Sequence, residues 1–94
     1  MEKQWVLYIL KCGDGTLYTG ITDDLQHRLA AHRAGKGAKY TRGRGPLELA
    51  YLLNCENHSH ALREEYRIKK LPRQEKLLLC LEYERNEKKN ELLP

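Results

Sequence analysis

Two tyrosines lie on the two strands of a predicted β-hairpin, at positions where a phenyl ring would pack as well as a phenol. The stretch VLYILKCGDGTLYTGIT, residues 6–22, has apolar runs on both sides of a Gly-Asp-Gly turn, and each run carries one tyrosine, Tyr8 or Tyr18. The chain contains no Phe, so the hydroxyl groups are candidates for chemistry. The alternative is that both are strand-favouring aromatic residues whose hydroxyls reach the rim of the core.

A carboxylate falls on the apolar side of a predicted helix. In SHALREEYRIKKL, residues 59–71, a spacing of 100° per residue places Glu65 between Leu62 and Ile68, whereas the adjacent Glu64 falls among basic side chains. We therefore predict that Glu64 is solvated and that Glu65 points toward the sheet. An inward carboxylate costs several kcal/mol unless it is paired or binds a cation.

Three interpretations of Glu65 stay open from helix geometry. It forms a salt bridge with Arg28, it reaches water at the rim, or it is a metal ligand or general base at the floor of a cleft. Arg28 and His32 are four residues apart on an earlier predicted helix, so they share one face. Arg28 lies about 60° from Leu25, so this face borders the apolar side. We expect Arg28, His32 and Glu65 to converge on the sheet, and such convergence favours a functional site.

The hairpin turn decides whether the tyrosines share a face. A two-residue Asp14-Gly15 turn would put Tyr8 and Tyr18 on opposite faces, and a one-residue shift reverses one strand. A type I turn with a bulge at Gly15 supplies that shift and suits an Asp-Gly pair. We predict the bulge.

The composition is that of one small basic domain. The chain has 94 residues, 17 Lys and Arg, and 13 Asp and Glu, which favours an anionic partner only weakly. We see no apolar run long enough for a membrane span and no signal peptide. An odd number of cysteines without a CxxC pair indicates reduced thiols and a cytoplasmic location. The spacing of Cys55, His58 and His60 fits no usual zinc site, and we interpret the histidines as loop residues.

The elements follow the order β-β-α-β-α-α. Predicted strands cover residues 5–12, 17–21 and about 47–56, and the last, nearly all apolar, is expected to be central. Thr22 or Asp23 is expected to cap the first helix, which has Leu25, Leu29 and Ala30 on its apolar side and ends at Gly35. Ser59 is expected to cap the second helix, and Pro72 to lie in the first turn of the third. We predict an α+β domain over 1–85, a three-stranded antiparallel sheet flanked by helices, and a polar tail over 86–94.

The motifs Val6-Leu7-Tyr8, Tyr18-Thr19-Gly20, DDLQHR and ALREEYRIKK resemble the GIY-YIG nuclease domain over roughly residues 4–72. The resemblance implies a divalent-metal-dependent phosphodiesterase on this fold. Its expected substrate is nucleic acid, with DNA favoured over RNA, and its expected role is in repair or recombination. By motif position, Tyr8, Tyr18, Arg28 and His32 correspond to catalytic residues and Glu65 to the ligand of Mg²⁺ or Mn²⁺. Gly20 corresponds to the glycine that lets the backbone approach the scissile phosphate.

The residue types suit this reaction. A guanidinium can grip a phosphate with its fork of donors, and a single carboxylate binds Mg²⁺ weakly without substrate. A phenol of pKa about 10 becomes a usable base beside positive charge, and Tyr18 is slightly favoured over Tyr8 for this role. Between residues 25 and 47 the chain is basic and has no acidic residue, so the loop is predicted to contact substrate through Lys36, Lys39, Tyr40, Arg42 and Arg44.

The chain departs from the family pattern at three places. Val6 stands where the first motif has glycine, and Ile21 stands where some branches carry a lysine. The asparagine that the family usually has near the end of the domain has no clear counterpart here after Pro72. A non-catalytic nucleic-acid-binding module on the same fold is therefore the alternative to a nuclease. A protein-interaction domain, with no salt-dependent affinity for nucleic acid, is the third hypothesis.

Overall fold

The chain forms a three-stranded antiparallel sheet with helices on both faces, as the element order predicted. A computed structural model describes residues 4–37 and 39–92, with side chains up to residue 87. The strands are β1, Trp5–Lys11, β2, Leu17–Thr22, and β3, Glu48–Cys55, and their order in the sheet is β2-β1-β3. The expectation that the third strand is central was wrong. β1 is central and fully buried from Val6 to Leu10, whereas β3 is an edge strand whose apolar residues are covered by the last helix.

The turn between β1 and β2 carries the predicted bulge. The Cys12 N–H donates to the Thr16 carbonyl, the Gly15 N–H donates to the Cys12 carbonyl, and Gly15 has a φ of 87°. This hydrogen-bond pattern is that of a type I turn followed by a bulge at a left-handed glycine. Tyr8 therefore pairs with Gly20 across the strands, and the register places Tyr8 and Tyr18 on one face.

Three helices and one short turn complete the fold: α1, Leu25–Arg33, a single 3₁₀ turn, Lys39–Thr41, α2, His58–Lys69, and α3, Arg73–Leu92. Pro72 lies just before α3 rather than in its first turn, and its carbonyl accepts the N–H groups of Glu75 and Lys76.

The caps of α1 and α2 differ from those predicted. Asp24 caps α1 by accepting the His27 N–H, and Asn57 caps α2 by accepting the His60 N–H. The predicted caps Thr22, Asp23 and Ser59 were therefore wrong. Each helix begins instead directly after the residue whose side chain accepts the third helical N–H.

Gly35 ends α1 as predicted. It has a φ of 75°, and its N–H donates to the His32 carbonyl while the Lys36 N–H donates to the Ala31 carbonyl. These two bonds form a Schellman motif, which favours glycine at this position. The apolar side expected for α1 is only partly present: Leu25 and Leu29 are half-buried and Ala30 is exposed, while the buried residue of α1 is His32.

The core lies between the sheet and the pair α2 and α3. Leu7, Ile9, Ala61 and Ile68 are completely buried there, and Leu79 and Cys80 of α3 pack against them. The predicted apolar face of α2 was therefore displaced around the helix axis. Ala61 faces the sheet, whereas Leu62 is 46% exposed. The tyrosine-bearing face of the sheet is covered by α1 and the loop that follows it.

The third helix continues beyond the predicted domain end. It runs to Leu92, so residues 86–92 are helical, and residues 93–94 lie outside the described part of the chain. A division into a domain over 1–85 and a tail over 86–94 stays a prediction. No helix within residues 4–37 and 39–92 has the length and apolar character needed to cross a membrane.

Candidate active site

Tyr8 lies at the centre of the tyrosine-bearing face and is completely buried. Its hydroxyl is 2.9 Å from Nε2 of His32, and Arg28 is a neighbour that acts on its pKa. Burial raises the pKa of Tyr8 above its ordinary value, the hydrogen bond from Arg28 opposes that rise, and the neighbouring Tyr18 adds to it. Because burial is the largest of these effects, Tyr8 is a neutral phenol near pH 7.

Arg28 lies beside both tyrosine side chains. Hydrogen bonding to Tyr8 is the largest of the effects that raise the pKa of its guanidinium, and Tyr18 contributes as well. The residue is only partly buried, so part of its fork of donors remains available to an anion. The rings of Tyr8 and Tyr18 lie close together, with centroids 6.3 Å apart.

His32 supports Tyr8 from α1. Its Nε2 is engaged with the Tyr8 hydroxyl, and its Nδ1 is 2.9 Å from Oγ1 of Thr41, which is also buried. Burial lowers the pKa of His32, and the positive charge of Arg28 lowers it further. The sequence prediction that Arg28 and His32 lean together toward the sheet is confirmed by these contacts.

Gly20 is required by Tyr8. A Cβ at this position would lie 2.5 Å from the Tyr8 hydroxyl, 2.7 Å from Cζ and 3.1 Å from Cε1 of Tyr18. The glycine therefore makes room for both rings. Its predicted role of letting the backbone approach a phosphate stays a prediction.

Tyr18 is the phenol that is accessible from outside. It is half-buried, and its ring lies nearly parallel to that of Tyr40, with centroids 6.1 Å apart and planes inclined by 28°. The guanidinium carbon of Arg44 is 4.6 Å from the Tyr40 centroid, and Arg44 is paired with Asp14 of the hairpin turn at 2.7 Å. The loop is thus joined to both the turn and Tyr18.

The predicted substrate-binding residues of this loop have different surroundings. Lys36, Lys39 and Arg42 are exposed, whereas Arg44 and Tyr40 have the partners just described. Their contact with a substrate stays a prediction.

Glu65 lies on α2, and its side chain is 22% exposed. Its negative charge is the smallest of the effects that raise the pKa of Tyr8. The predicted alternative partner, Arg28, is not the one seen, because Oε2 of Glu65 pairs with Nζ of Lys69 at 3.3 Å. Glu64 is not fully solvated as predicted: its side chain is 22% exposed, the same as that of Glu65, because it pairs with Arg67 at 2.6 Å.

The role of Glu65 as the ligand of a divalent cation stays a prediction. Within residues 4–37 and 39–92, no three His, Cys, Asp or Glu side chains are grouped to hold a metal ion. A partly exposed carboxylate whose partner is an exposed lysine fits a Mg²⁺ or Mn²⁺ ion that keeps most of its shell as water and phosphate. The Cys55, His58 and His60 set is otherwise engaged: His58 stacks on Trp5 with centroids 4.3 Å apart, and Nδ1 of His60 accepts the Glu56 N–H.

Sequence reasoning missed three residues near the site: Thr41, Lys69 and Lys76. Thr41 had no signal, because the burial of a short turn against α1 depends on tertiary packing. Lys69 falls only about 40° from Glu65 on the helical wheel, so a contact with Glu65 was available from the spacing. Ile21, where some branches carry lysine, packs against the core on the face opposite the tyrosines.

The fold is a small α+β domain in which Tyr8 of β1 meets His32 of α1. The family model described as the GIY-YIG catalytic domain matches residues 4–78, and the chain belongs to the GIY-YIG family. Within that family it is similar to proteins named UPF0213. The UPF0213 protein of Oceanobacillus iheyensis is 56% identical over 87 residues, which cover 93% of this chain and 100% of the relative. The one from Halobacterium salinarum is 53% identical over 70 residues, covering 74% of this chain and 91% of the relative.

Two solved structures share the fold. The solution structure of the UPF0213 protein from Bacillus halodurans is 42% identical with a TM-score of 0.58, and the match covers 95% of this chain and 96% of that chain. The solution structure of a protein from E. faecalis is 35% identical with a TM-score of 0.57, covering 100% of this chain and 95% of that chain.

Proposed function

We propose that this protein is a metal-dependent endonuclease that hydrolyses phosphodiester bonds in nucleic acid, with DNA as the preferred substrate. The observation that carries the proposal is the position of Arg28. Arg28 lies one helical turn before His32, whose Nε2 is 2.9 Å from the Tyr8 hydroxyl, and both phenols contribute to the raised pKa of its guanidinium. The negative charge of Glu65 also acts on the pKa of Tyr8. A cation that recognises phosphate, two proton-bearing groups and a metal-binding carboxylate therefore meet at one place.

The surroundings of the side chains support a distinct role for each. Arg28 would hold a phosphoryl oxygen of the substrate through its fork of donors. Tyr18, as the phenolate formed after it gives its own proton to solvent, would accept the proton of the attacking water, because it is the partly exposed tyrosine and also has Arg28 as a neighbour. Tyr8 and His32 would hold Arg28 in place from the buried side.

Glu65 would hold the divalent cation. When bound there, Mg²⁺ or Mn²⁺ supplies charge neutralisation at the phosphate and a more acidic water. The protein's own residues then orient the phosphate and receive the proton.

Substitution of Glu65 tests the proposal. We expect Glu65→Gln to abolish metal-dependent cleavage of a labelled panel of single-stranded, duplex, flap and junction DNAs and an RNA, because the carboxylate that binds the cation is lost. Binding of the same molecules in chelator should be nearly unchanged.

Glu64→Gln is the matched control. Glu64 lies next to Glu65 on the same helix, is equally exposed and has its own ion pair, so this variant should cleave like the parent protein. Equal cleavage by the Glu65→Gln variant would overturn the assigned role of Glu65. Salt-dependent binding by the parent protein without any metal-dependent cleavage would favour the non-catalytic binding module.

A further inference from the structure

Two lysines from different helices meet in a shallow pocket at the outer border of β2. The pocket has a volume of about 260 Å³ and is lined by Lys69 of α2, Lys76 of α3, and Leu17, Tyr18, Thr19 and Tyr40. Tyr18 belongs both to this pocket and to the candidate active site, so the two are contiguous.

The lining of the pocket carries two positive charges, and Glu65, which pairs with Lys69, lies outside that lining. Lys69 and Lys76 are its charged residues, and no Asp or Glu is among its described lining residues. Like charges in one pocket repel each other, so the arrangement is favourable when an anion lies between them.

The position of Lys76 does not favour helix stability. It lies in the first turn of α3, and a positive charge near a helix N-terminus is unfavourable because that end already carries a partial positive charge. Its side chain is half-buried, and within the described part of the chain it has no ion pair. Neither helix stability nor a salt bridge therefore explains a lysine here.

Lys69 forms an ion pair with Glu65 that an anionic ligand can replace. Its Nζ pairs with Glu65 at 3.3 Å, but its side chain is 54% exposed, and exposed pairs of this kind contribute little free energy. A phosphate in the pocket would therefore compete readily for its ammonium group.

We propose that this pocket binds a second phosphodiester group of the substrate, adjacent to the one held by Arg28, through Lys69 and Lys76. The inference rests on the proposed function and adds a subsite to it. Lys69 and Lys76 would hold the neighbouring phosphate while Tyr18 forms the wall between the subsite and the reacting group.

The salt dependence of binding tests the subsite without catalysis. Binding of a short fluorescein-labelled DNA oligonucleotide is measured by anisotropy in chelator over a range of KCl concentrations. Lys76→Met keeps the aliphatic stem and removes the charge. We expect it to reduce the slope of log affinity against log salt by about 0.7, and to weaken binding about fivefold near 0.1 M salt, as loss of one single-strand phosphate contact does.

Lys70→Met is the matched control. Lys70 lies beside Lys69, carries the same charge, and has its ammonium group 4.0 Å from the Tyr66 ring centroid. This variant lowers the net charge equally, so its slope should stay near that of the parent protein. An equal loss of slope in both variants, or none in Lys76→Met, would overturn the subsite, whereas absence of any salt-dependent binding by the parent protein would overturn the proposed function itself.

A second measurement covers the case in which Lys76→Met does not fold. The parent protein is acetylated briefly with and without the oligonucleotide, and each lysine is quantified by mass spectrometry. The proposal requires the oligonucleotide to protect Lys76 and Lys69 more than Lys70. Equal protection of all three contradicts it.

Discussion

The two phenols of the site have the same chemistry in different surroundings. Tyr8 is completely buried and bonded to His32, whereas Tyr18 is half-buried and open to the pocket. Burial raises the pKa of Tyr8, so this residue keeps its proton near neutral pH. Under the proposed function, Tyr18 is then the tyrosine expected to exchange a proton with a bound water.

Replacing each phenol by phenylalanine separates these roles. Tyr18→Phe should lower the single-turnover cleavage rate by about 10²–10⁴, because a general base is lost, and should change stability little. Tyr8→Phe leaves Nε2 of His32 without its partner, so it should cost about 1–3 kcal/mol in urea unfolding. The assignment is reversed if Tyr8→Phe removes cleavage without loss of stability while Tyr18→Phe cleaves normally.

The buried His32 makes the stability of the protein depend on pH. Its pKa is lowered in the folded protein, mainly by burial and then by Arg28, while in the unfolded chain it titrates near about 6.5. The unfolded chain therefore binds this proton more readily, so this contribution to stability is present above about pH 6.5 and is lost as the pH falls below it.

Urea unfolding at a series of pH values measures this effect. The urea concentration at the unfolding midpoint should decrease as the pH is lowered from about 7 to about 5. His32→Gln should make this decrease smaller, even though the substitution lowers stability at every pH. His27→Gln, at an exposed position of the same helix, should leave the slope intact. A slope unchanged by His32→Gln would contradict the assignment.

Much of the candidate site follows from residue spacing, and the rest depends on packing. The four-residue spacing of Arg28 and His32 predicts that these two residues share a face, and in the structure His32 contacts Tyr8 while Arg28 acts on its pKa. The helical wheel offers Lys69 as an ion partner of Glu65, but it does not select Lys69 over Arg28 of another helix, because that choice depends on packing. Thr41 and Lys76 could not be predicted, since each reaches the site through a contact between distant elements.

Among the elements, the hairpin determines the geometry of the site most directly. Its bulge at Gly15 brings both tyrosines to one face, and Gly20 opposite Tyr8 leaves room for the buried ring. Asp-Gly made the turn predictable, because its preference for a left-handed glycine is local. The helix caps were less predictable, because several residues able to cap lie side by side and packing selects among them.

A methyl group at Gly20 should disturb this arrangement. Gly20→Ala puts a Cβ 2.5 Å from the Tyr8 hydroxyl, and overpacking of this kind costs about 1–3 kcal/mol. We expect a lower urea midpoint together with reduced cleavage, because the ring must move from Arg28. Gly45→Ala, whose Cβ would meet no atom within 4 Å, should be close to the parent protein. Equal stability of the two variants would mean that the ring of Tyr8 adapts without cost.

Over the whole molecule, one face of the sheet holds the apolar core and the other holds the candidate site. α2 and α3 cover the face that holds the apolar core, and α1 and the basic loop cover the face that holds the candidate site. The α+β class was predictable because periodicity and turn signals reveal the element order. The strand order was not, since an apolar strand can be buried by a neighbouring strand or, as β3 is, by a helix.

Shortening α3 tests how much of it the domain needs. A chain that ends at residue 85 keeps Leu79, Cys80 and Tyr83, and its free energy of unfolding should stay within about 0.5 kcal/mol of the parent value. A chain that ends at residue 76 loses these core contacts and should be destabilised by about 2–5 kcal/mol or fail to fold. Circular dichroism during thermal unfolding measures both. Strong destabilisation of the longer variant would show that the predicted tail belongs to the domain.

The complete burial of Tyr8 also has a spectroscopic consequence. A hydroxyl proton held between a phenol and an imidazole, without contact with bulk water, exchanges slowly with solvent. The Tyr8 hydroxyl, 2.9 Å from Nε2 of His32, should therefore give a resolved proton resonance that open hydroxyls do not give. That resonance would report the protonation and packing of the site in the resting protein, with neither metal nor nucleic acid present.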